Sequence, residues 1–373
     1  MPSTPSLLDS LPALYANLFP AFFQSPVPEE TKATCASCAM CEATSQNPVQ
    51  AIDGENRFYR PDTKCCTYYP RLPNYLVGGL LADPRPALAE GQRRIRERIA
   101  SRISVTPQWL KPPAKYNLLY ANARNGFGRA ATLRCPYYES EKGQCTIWAY
   151  REAVCSTFFC KYVAGADGRK FWMTLKTYLS LAEIHLSRYA LLELSPDYVL
   201  SGQDRADAAG GPLTAEDLDG RPLPDKEYAA QWRDWSGREE ALYIAAYEKV
   251  RALSASDFEQ LLGLDGRVEQ RVLEKLHHEA TGGKLPAVLK LNPSATVTWL
   301  PDGSVGLGAY SENDAVALPG EAYGLLVEFT GKEPVSAVRQ RLRDEKQADL
   351  HEDILLELYR HRILIDPRAP GTR

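Results

Sequence analysis

All nine cysteines of this 373-residue chain lie before residue 161, and that one-sided distribution constrains the fold more than any other feature. They are Cys35, Cys38, Cys41, Cys65, Cys66, Cys135, Cys145, Cys155 and Cys160. The count is odd, the chain is long enough to bury its own core, and its start lacks a basic-then-apolar export pattern. Together these argue against a disulfide framework. Metal ligation is the competing explanation. The run Cys35-Ala-Ser-Cys38-Ala-Met-Cys41 spaces three thiols in steps of three, so a tight loop or helical turn aims the sulfurs at one point. Converging thiolates repel one another without a metal, whereas a structural metal contributes about 10 to 16 kcal/mol of apparent binding free energy to folding. A buried apolar cysteine accounts for one or two of the nine, not for all.

The adjacent Cys65 and Cys66, on extended backbone, would point to opposite sides and serve two sites at once. Cys135, Cys145, Cys155 and Cys160 supply four further thiols. The expectation is two four-thiolate sites with one sulfur spare, all nine cysteines being candidate ligands. Zinc and iron-sulfur clusters both accept four thiolates. A CxxCxxC triplet holds three corners of a cubane in bacterial ferredoxins, whereas structural zinc takes separated pairs, which points to one or two [4Fe-4S] clusters with zinc as the alternative. No cysteine followed by proline comes soon after Cys41, and the spacing is not the CxxxCxxC of radical S-adenosylmethionine enzymes. Such a centre is negative, so cations beside the cysteines are needed: Lys64 and Arg129, and above all Arg134, Arg151 and Lys161, expected to bind the cofactor. The segment Asn125-Gly126-Phe127-Gly128-Arg129 reads as a tight turn that could bring backbone close to a cluster.

Along the chain, Leu7, Leu8, Leu11 and Leu14 suggest one short N-terminal helix. Ile95, Ile99 and Ile103 predict an amphipathic helix within residues 86 to 104, whose Arg93, Arg94, Arg96, Arg98 and Arg102 read as a solvated face. A long helix follows from Phe171 through Leu175, Tyr178, Leu179, Ala182 and Leu186 to Tyr189; Glu183 and His185 lie on it, and the histidine reads as a hydrogen-bonded core or boundary residue rather than a ligand. Gly210, Gly211, Gly220, Pro222 and Pro224 mark a linker. Helical patterning returns over residues 226 to 279. A hairpin from Thr296-Val297-Thr298-Trp299 through Pro301-Asp302-Gly303 to Val305 and Leu307 comes next, with helices near Pro319, Pro334 and Ile354 and a strand at Ile363 to Ile365. The predicted fold is α+β in three parts. A mainly helical cysteine-rich metal-binding domain covers residues 1–200, a linker and helical connector 201–283, and a small winged-helix domain 284–373.

Cys135-Pro136-Tyr137, Cys145-Thr146-Ile147-Trp148 and Arg151-Glu152-Ala153-Val154-Cys155, following the triplet, resemble the CxxCxxCC, YkgJ-like family of zinc- or iron-chelating proteins. The resemblance covers roughly residues 35 to 165 and implies metal ligation. The sequence departs from the family pattern at Glu42, at the late Cys65-Cys66 pair, at Trp148 for tyrosine and at Glu152 for proline. The layout is also similar to that of flagellin lysine N-methylases. The last ninety residues resemble PqqD-like winged helices, which implies a peptide or protein partner.

With 44 basic and 47 acidic side chains the chain has no overall pull toward nucleic acid or anionic lipid, and Glu321, Glu328, Glu333, Asp344, Glu345 and Asp349 keep the C-terminal part from being basic. No apolar run nears the ~18 to 20 residues that span a bilayer, so a cytoplasmic protein is expected. No nucleotide loop, catalytic triad or HExxH motif is visible, and no catalytic residue is predicted. The expected function is an iron-sulfur protein acting in redox or modification of a peptide or protein partner. The alternative is a non-catalytic, zinc-stabilised binding or scaffold protein.

Overall fold

The computed structural model describes residues 5–28, 38–42, 58–198 and 213–369; Cys35, Gly210 and Gly211 lie outside them. The architecture is mixed α+β, mainly helical with small antiparallel sheets. Among the described residues no helix is long and apolar enough to cross a membrane. The chain forms two compact units. The first spans Met1–Val27, Tyr59–Phe158 and Thr174–Arg271, the second Pro28–Phe58, Phe159–Met173 and Val272–Arg373.

The first unit begins not with the expected helix but with three 3-10 turns, Leu8–Ser10, Ala13–Asn17 and Ala21–Gln24. Pro12 and Pro20 precede the second and third, and a ring that removes an N–H and constrains its predecessor prevents one continuous α-helix. The apolar spacing still serves packing. Leu7, Leu11, Tyr15, Phe19 and Phe23 are buried, Tyr15 stacks on Phe19 at 4.4 Å, and the Tyr15 and Tyr75 hydroxyls meet at 2.7 Å.

Strand β1 (Leu72–Pro73) leads into helix α1 (Asn74–Ala82), which is buried from Asn74 to Leu81 as a helix apolar on every side must be. Helix α2 (Ala89–Ser101) buries Ile95 and Ile99 as their spacing predicts, and stops at Arg102 with φ 57°. Strand β2 (Trp109–Leu110) pairs antiparallel with β1, and helix α3 (Ala114–Asn122) follows. Strands β3 (Tyr138–Glu139) and β4 (Gln144–Cys145) make a hairpin, and α4 (Ala153–Thr157) is a single capped turn. The chain passes between units within the expected long helix, α5 (Gly165–Leu194); its Leu175, Tyr178, Leu179, Ala182 and Leu186 are buried. The predicted linker contains a short helix α6 (Ala215–Asp219), held by a capping box between Thr214 and Asp217. Helices α7 (Asp225–Trp232), α8 (Glu239–Arg251) and α9 (Ala255–Thr281, kinked at Gly263) bear out the helical patterning. At the crossing of α1 and α8, a Cβ on Gly78 would stand 1.8 Å from the Tyr243 carbonyl oxygen, so only glycine permits the approach.

In the second unit the predicted hairpin is present as β6 (Thr296–Trp299) and β7 (Ser304–Gly308), turning through Gly303 at φ 82°. Three strands were not anticipated: β5 (Val288–Leu291), β8 (Val316–Pro319) and β9 (Thr330–Pro334). They complete two antiparallel sheets, ordered β10-β5-β9 and β6-β7-β8, with β10 at Leu364–Ile365. The helix starting near Pro319 is α10 (Gly320–Leu326) and ends before β9, while α11 (Val335–Lys346) and α12 (Glu352–Arg360) follow as predicted. Leu289, Val305, Leu307, Phe329, Val338, Leu342, Leu355 and Leu358 form the core. Buried Asp314 accepts hydrogen bonds from the Tyr162 backbone N–H at 3.2 Å and from the Tyr310 hydroxyl, with His361 Nε2 at 3.6 Å.

Candidate metal centre

Five of the nine cysteines fall in the first unit, each carried by backbone fixed by its neighbours. Residues 61–67 form a tight turn in which the Lys64 N–H bonds to Arg60 O at 2.8 Å and the Cys66 N–H to Thr63 O at 3.0 Å. Lys64 adopts φ 51°, and the Cys65 and Cys66 side chains hydrogen-bond to each other. The pair therefore does not project to opposite sides. That expectation needed extended backbone, and the backbone here is coiled.

The Gly126-Phe127-Gly128 segment clasps this turn. Gly128 O accepts from the Arg60 N–H at 2.9 Å and from Thr63 Oγ1 at 3.1 Å, and the Gly128 N–H donates to Thr67 Oγ1 at 2.6 Å. Gly128 has φ 74°, and a Cβ there would lie 2.2 Å from the Tyr59 ring, which is why glycine occupies it. The next cysteine is tied in directly: the Cys135 N–H bonds to Cys66 O at 2.7 Å. Cys145 lies opposite Tyr138 in the β3–β4 hairpin, and Lys64 Nζ reaches the hairpin turn at Gly143 O, 3.4 Å away.

Helix α2 holds the Cys135 loop from outside. Arg94 Nη1 donates to Pro136 O at 2.6 Å and to Tyr138 O at 3.1 Å, while Gly91 permits close passage of Thr146 O. Arg94 is thus a site residue, not part of a purely solvated face. Its sequence gives no sign of this, since it is one of four arginines on the same helix. Arg93, bonded to Glu90 and Glu97, and Arg96, bonded to Glu240, behave as expected, whereas Arg98 departs from a solvated face by donating to Ile103 O at 2.7 Å and Lys111 O at 3.0 Å.

Cys155 sits on α4, whose N-terminus is capped by Glu152 through the Val154 N–H at 2.7 Å and the Cys155 N–H at 2.9 Å. Glu152 therefore orients a thiol-bearing turn. Glu183, from α5, accepts the Ala153 N–H at 2.6 Å. Arg151 donates to Trp148 O at 3.0 Å and Cys155 O at 3.1 Å and lies over the Trp148 ring, 3.4 Å from its centre. An acidic cap immediately before a short helix was the available signal for Glu152.

The thiols sense one another. Burial, then the charge of Cys145, pushes Cys135 up despite the Tyr137 and Tyr138 N–H groups. Burial pushes Cys155 well up, followed by Glu152, Cys135 and Cys145. Cys66 is raised by its bond to Cys65, by burial and by the charges of Cys65, Cys135 and Cys145. Cys65 alone among these four is lowered: the hydrogen bond from Cys66 outweighs burial, helped by Arg151 and Lys64. Burial also raises Glu152 and Glu183, the latter well above the usual carboxyl range.

Cys38 and Cys41 are buried and share a turn closed by the Cys41 N–H to Cys38 O bond at 3.1 Å; with buried Cys160 they belong to the second unit. Lys161, beside Cys160, is lowered by burial against the opposing charges of Asp314 and Cys160. Arg134 is exposed and acts on the carboxylate of Asp62. Arg129 lies over the Tyr59 ring at 5.7 Å. His185 is held by the Leu261 backbone, near Arg188 and Asp265. No disulfide joins any of the eight described cysteines. Among the described residues no three His, Cys, Asp or Glu side chains are arranged to hold a metal ion. Comparison with protein-family models, curated proteins and solved structures finds no match to this chain.

Proposed function

We propose that the chain is a thiolate metal protein and that the metal is iron in an iron-sulfur cluster. One observation carries the reading: Cys65, Cys66, Cys135, Cys145 and Cys155, drawn from separate stretches of sequence, lie close enough to perturb one another's ionisation, yet form no disulfide. Gathering thiols in a partly buried site works against their ionisation, and a bound cation reverses that balance. Lys64, Arg94 and Arg151 supply the compensating positive charge and donors that a multi-thiolate centre requires. In the described arrangement Cys65 and Cys66 bond to each other, so ligation requires their side chains to rotate toward a common point. The donor set suits soft-metal chemistry, and the choice of iron and sulfide over zinc is taken from the CxxCxxC triplet of the sequence, whose described members Cys38 and Cys41 belong to the second unit and not to this thiol set.

The second unit is read as the partner-binding element. In support, β6 is an edge strand with Trp299 61% and Val297 39% exposed, a surface on which a peptide or protein could pack. Anaerobic purification with iron, sulfide and zinc analysis tests the assignment. Iron with acid-labile sulfide and visible charge-transfer absorption is expected. Stoichiometric zinc in colourless protein would replace iron by a zinc-stabilised scaffold, and a chain that takes up neither would end the thiolate reading.

A further inference from the structure

A cavity of about 560 Å³ lies in the first unit, within the size range of small-molecule sites. One wall is aromatic. Tyr116 and Tyr120 stack with ring centres 5.9 Å apart and planes 18° from parallel, and Tyr68 meets Tyr120 edge-on at 6.2 Å. Among neutral residues the charged lining is mainly basic: Arg71, Arg102, Lys111 and Arg221 line it, against a single acid, Asp217. Arg102 and Arg221 have carboxylates at hand, Asp225 at 2.8 Å and Asp219 at 2.7 Å, but Asp225 and Asp219 do not line the space. Gln231 Oε1, on another lining residue, is buried and has no hydrogen-bond partner among the described residues, leaving an acceptor for a ligand N–H or O–H.

Ring faces offer stacking, and a cationic lining selects against neutral or positive solutes. We propose that this cavity binds a small planar ligand bearing an anionic group, either a nucleotide or an aromatic carboxylate. The Tyr116 hydroxyl donates to Thr67 O at 2.5 Å, so the aromatic wall is joined to the turn that carries Cys65 and Cys66. Ligand occupancy is thereby placed beside the thiols, although the inference does not rest on the metal reading.

Isothermal titration calorimetry of the full chain tests it with four probes: ADP, indole-3-acetate, inorganic phosphate and adenosine. Saturable binding is expected for ADP or for indole-3-acetate, and whichever binds identifies the source of the anion. Phosphate alone and adenosine alone should bind at least about tenfold more weakly, because each lacks half of the recognised chemistry. Lys111→Ala, Tyr120→Leu and the exposed Arg221→Ala should each weaken binding by about tenfold, while Lys249→Ala leaves it unchanged. Should Tyr120→Leu fail to fold, the two cation variants carry the test. The proposal is overturned if neither aromatic anion saturates the protein up to about 1 mM, if adenosine or phosphate alone binds as tightly, or if Lys111→Ala and Arg221→Ala bind like the parent chain.

Discussion

Replacing Arg94 by methionine tests how the Cys135 loop is held. Methionine keeps an unbranched stem against the helix and removes the two bonds to Pro136 O and Tyr138 O, along with the partly exposed ion pair to Glu90 whose loss the Arg93 control also samples. Hydrogen bonds from a charged donor contribute about 1.5 to 3 kcal/mol each, and the 21% exposure of the Arg94 side chain favours the lower figure. The pair is therefore worth about 3 kcal/mol, or about two decades in the equilibrium between docked and undocked Cys135 loop. The control is Arg93→Met on the same helix, whose partners Glu90 and Glu97 are side chains on an exposed surface and contribute little. Metal bound per chain and the urea midpoint are compared for both. Arg94→Met should lose metal and unfold at lower urea than the parent, with Arg93→Met indistinguishable from it. Equal behaviour of the two variants would refute the loop-anchoring role.

Gly78→Ala should destabilise by about 3 kcal/mol in urea unfolding, since a Cβ cannot share 1.8 Å with the Tyr243 carbonyl oxygen. Gly324→Ala, in α10 with nothing near its Cβ position, should instead gain about 0.5 to 1 kcal/mol. For His361, burial opposes the charged form, but the Asp314 carboxylate 3.6 Å from Nε2, with the Glu357 carbonyl and carboxylate, outweighs it and raises the group above its ordinary 6.5. Its stabilising contribution is then complete below pH 6.5 and fades as pH rises through the higher folded value. Thermal unfolding of the parent should show this loss from pH 6.5 upward, and His361→Gln should show a flatter profile. Alkylation of metal-free protein should be slower at Cys65 in Arg151→Gln, because a cation that favours the thiolate is gone. Unchanged alkylation would separate Arg151 from the thiols.

Where the sequence was legible, the information was local. Ile95 and Ile99 mark a helix within their own turn spacing, and Pro301-Asp302-Gly303 builds a hairpin turn from its own backbone preferences. Strand β9 escaped notice because Thr-Gly-Lys-Glu-Pro has no apolar alternation and is a strand only by pairing with β5. The N-terminal leucines carried a real burial pattern whose helical form was cut by Pro12 and Pro20. At the site, the spacing marked Cys65, Cys66, Cys135, Cys145 and Cys155 as candidates, and their charges act on one another within the first unit. The direction of the Cys65 and Cys66 side chains was not legible, because it depends on one left-handed residue, Lys64. Arg94 was invisible for a different reason: its acceptors are carbonyls 42 and 44 residues away, and a carbonyl has no sequence signature.

X-ray absorption at the metal edge of anaerobically prepared protein tests the central claim most directly. A first shell of sulfur at about 2.3 Å, diminished in Cys66→Ser and Cys135→Ser, is the predicted result. A shell of nitrogen and oxygen alone, or a sulfur shell untouched by either substitution, would contradict it.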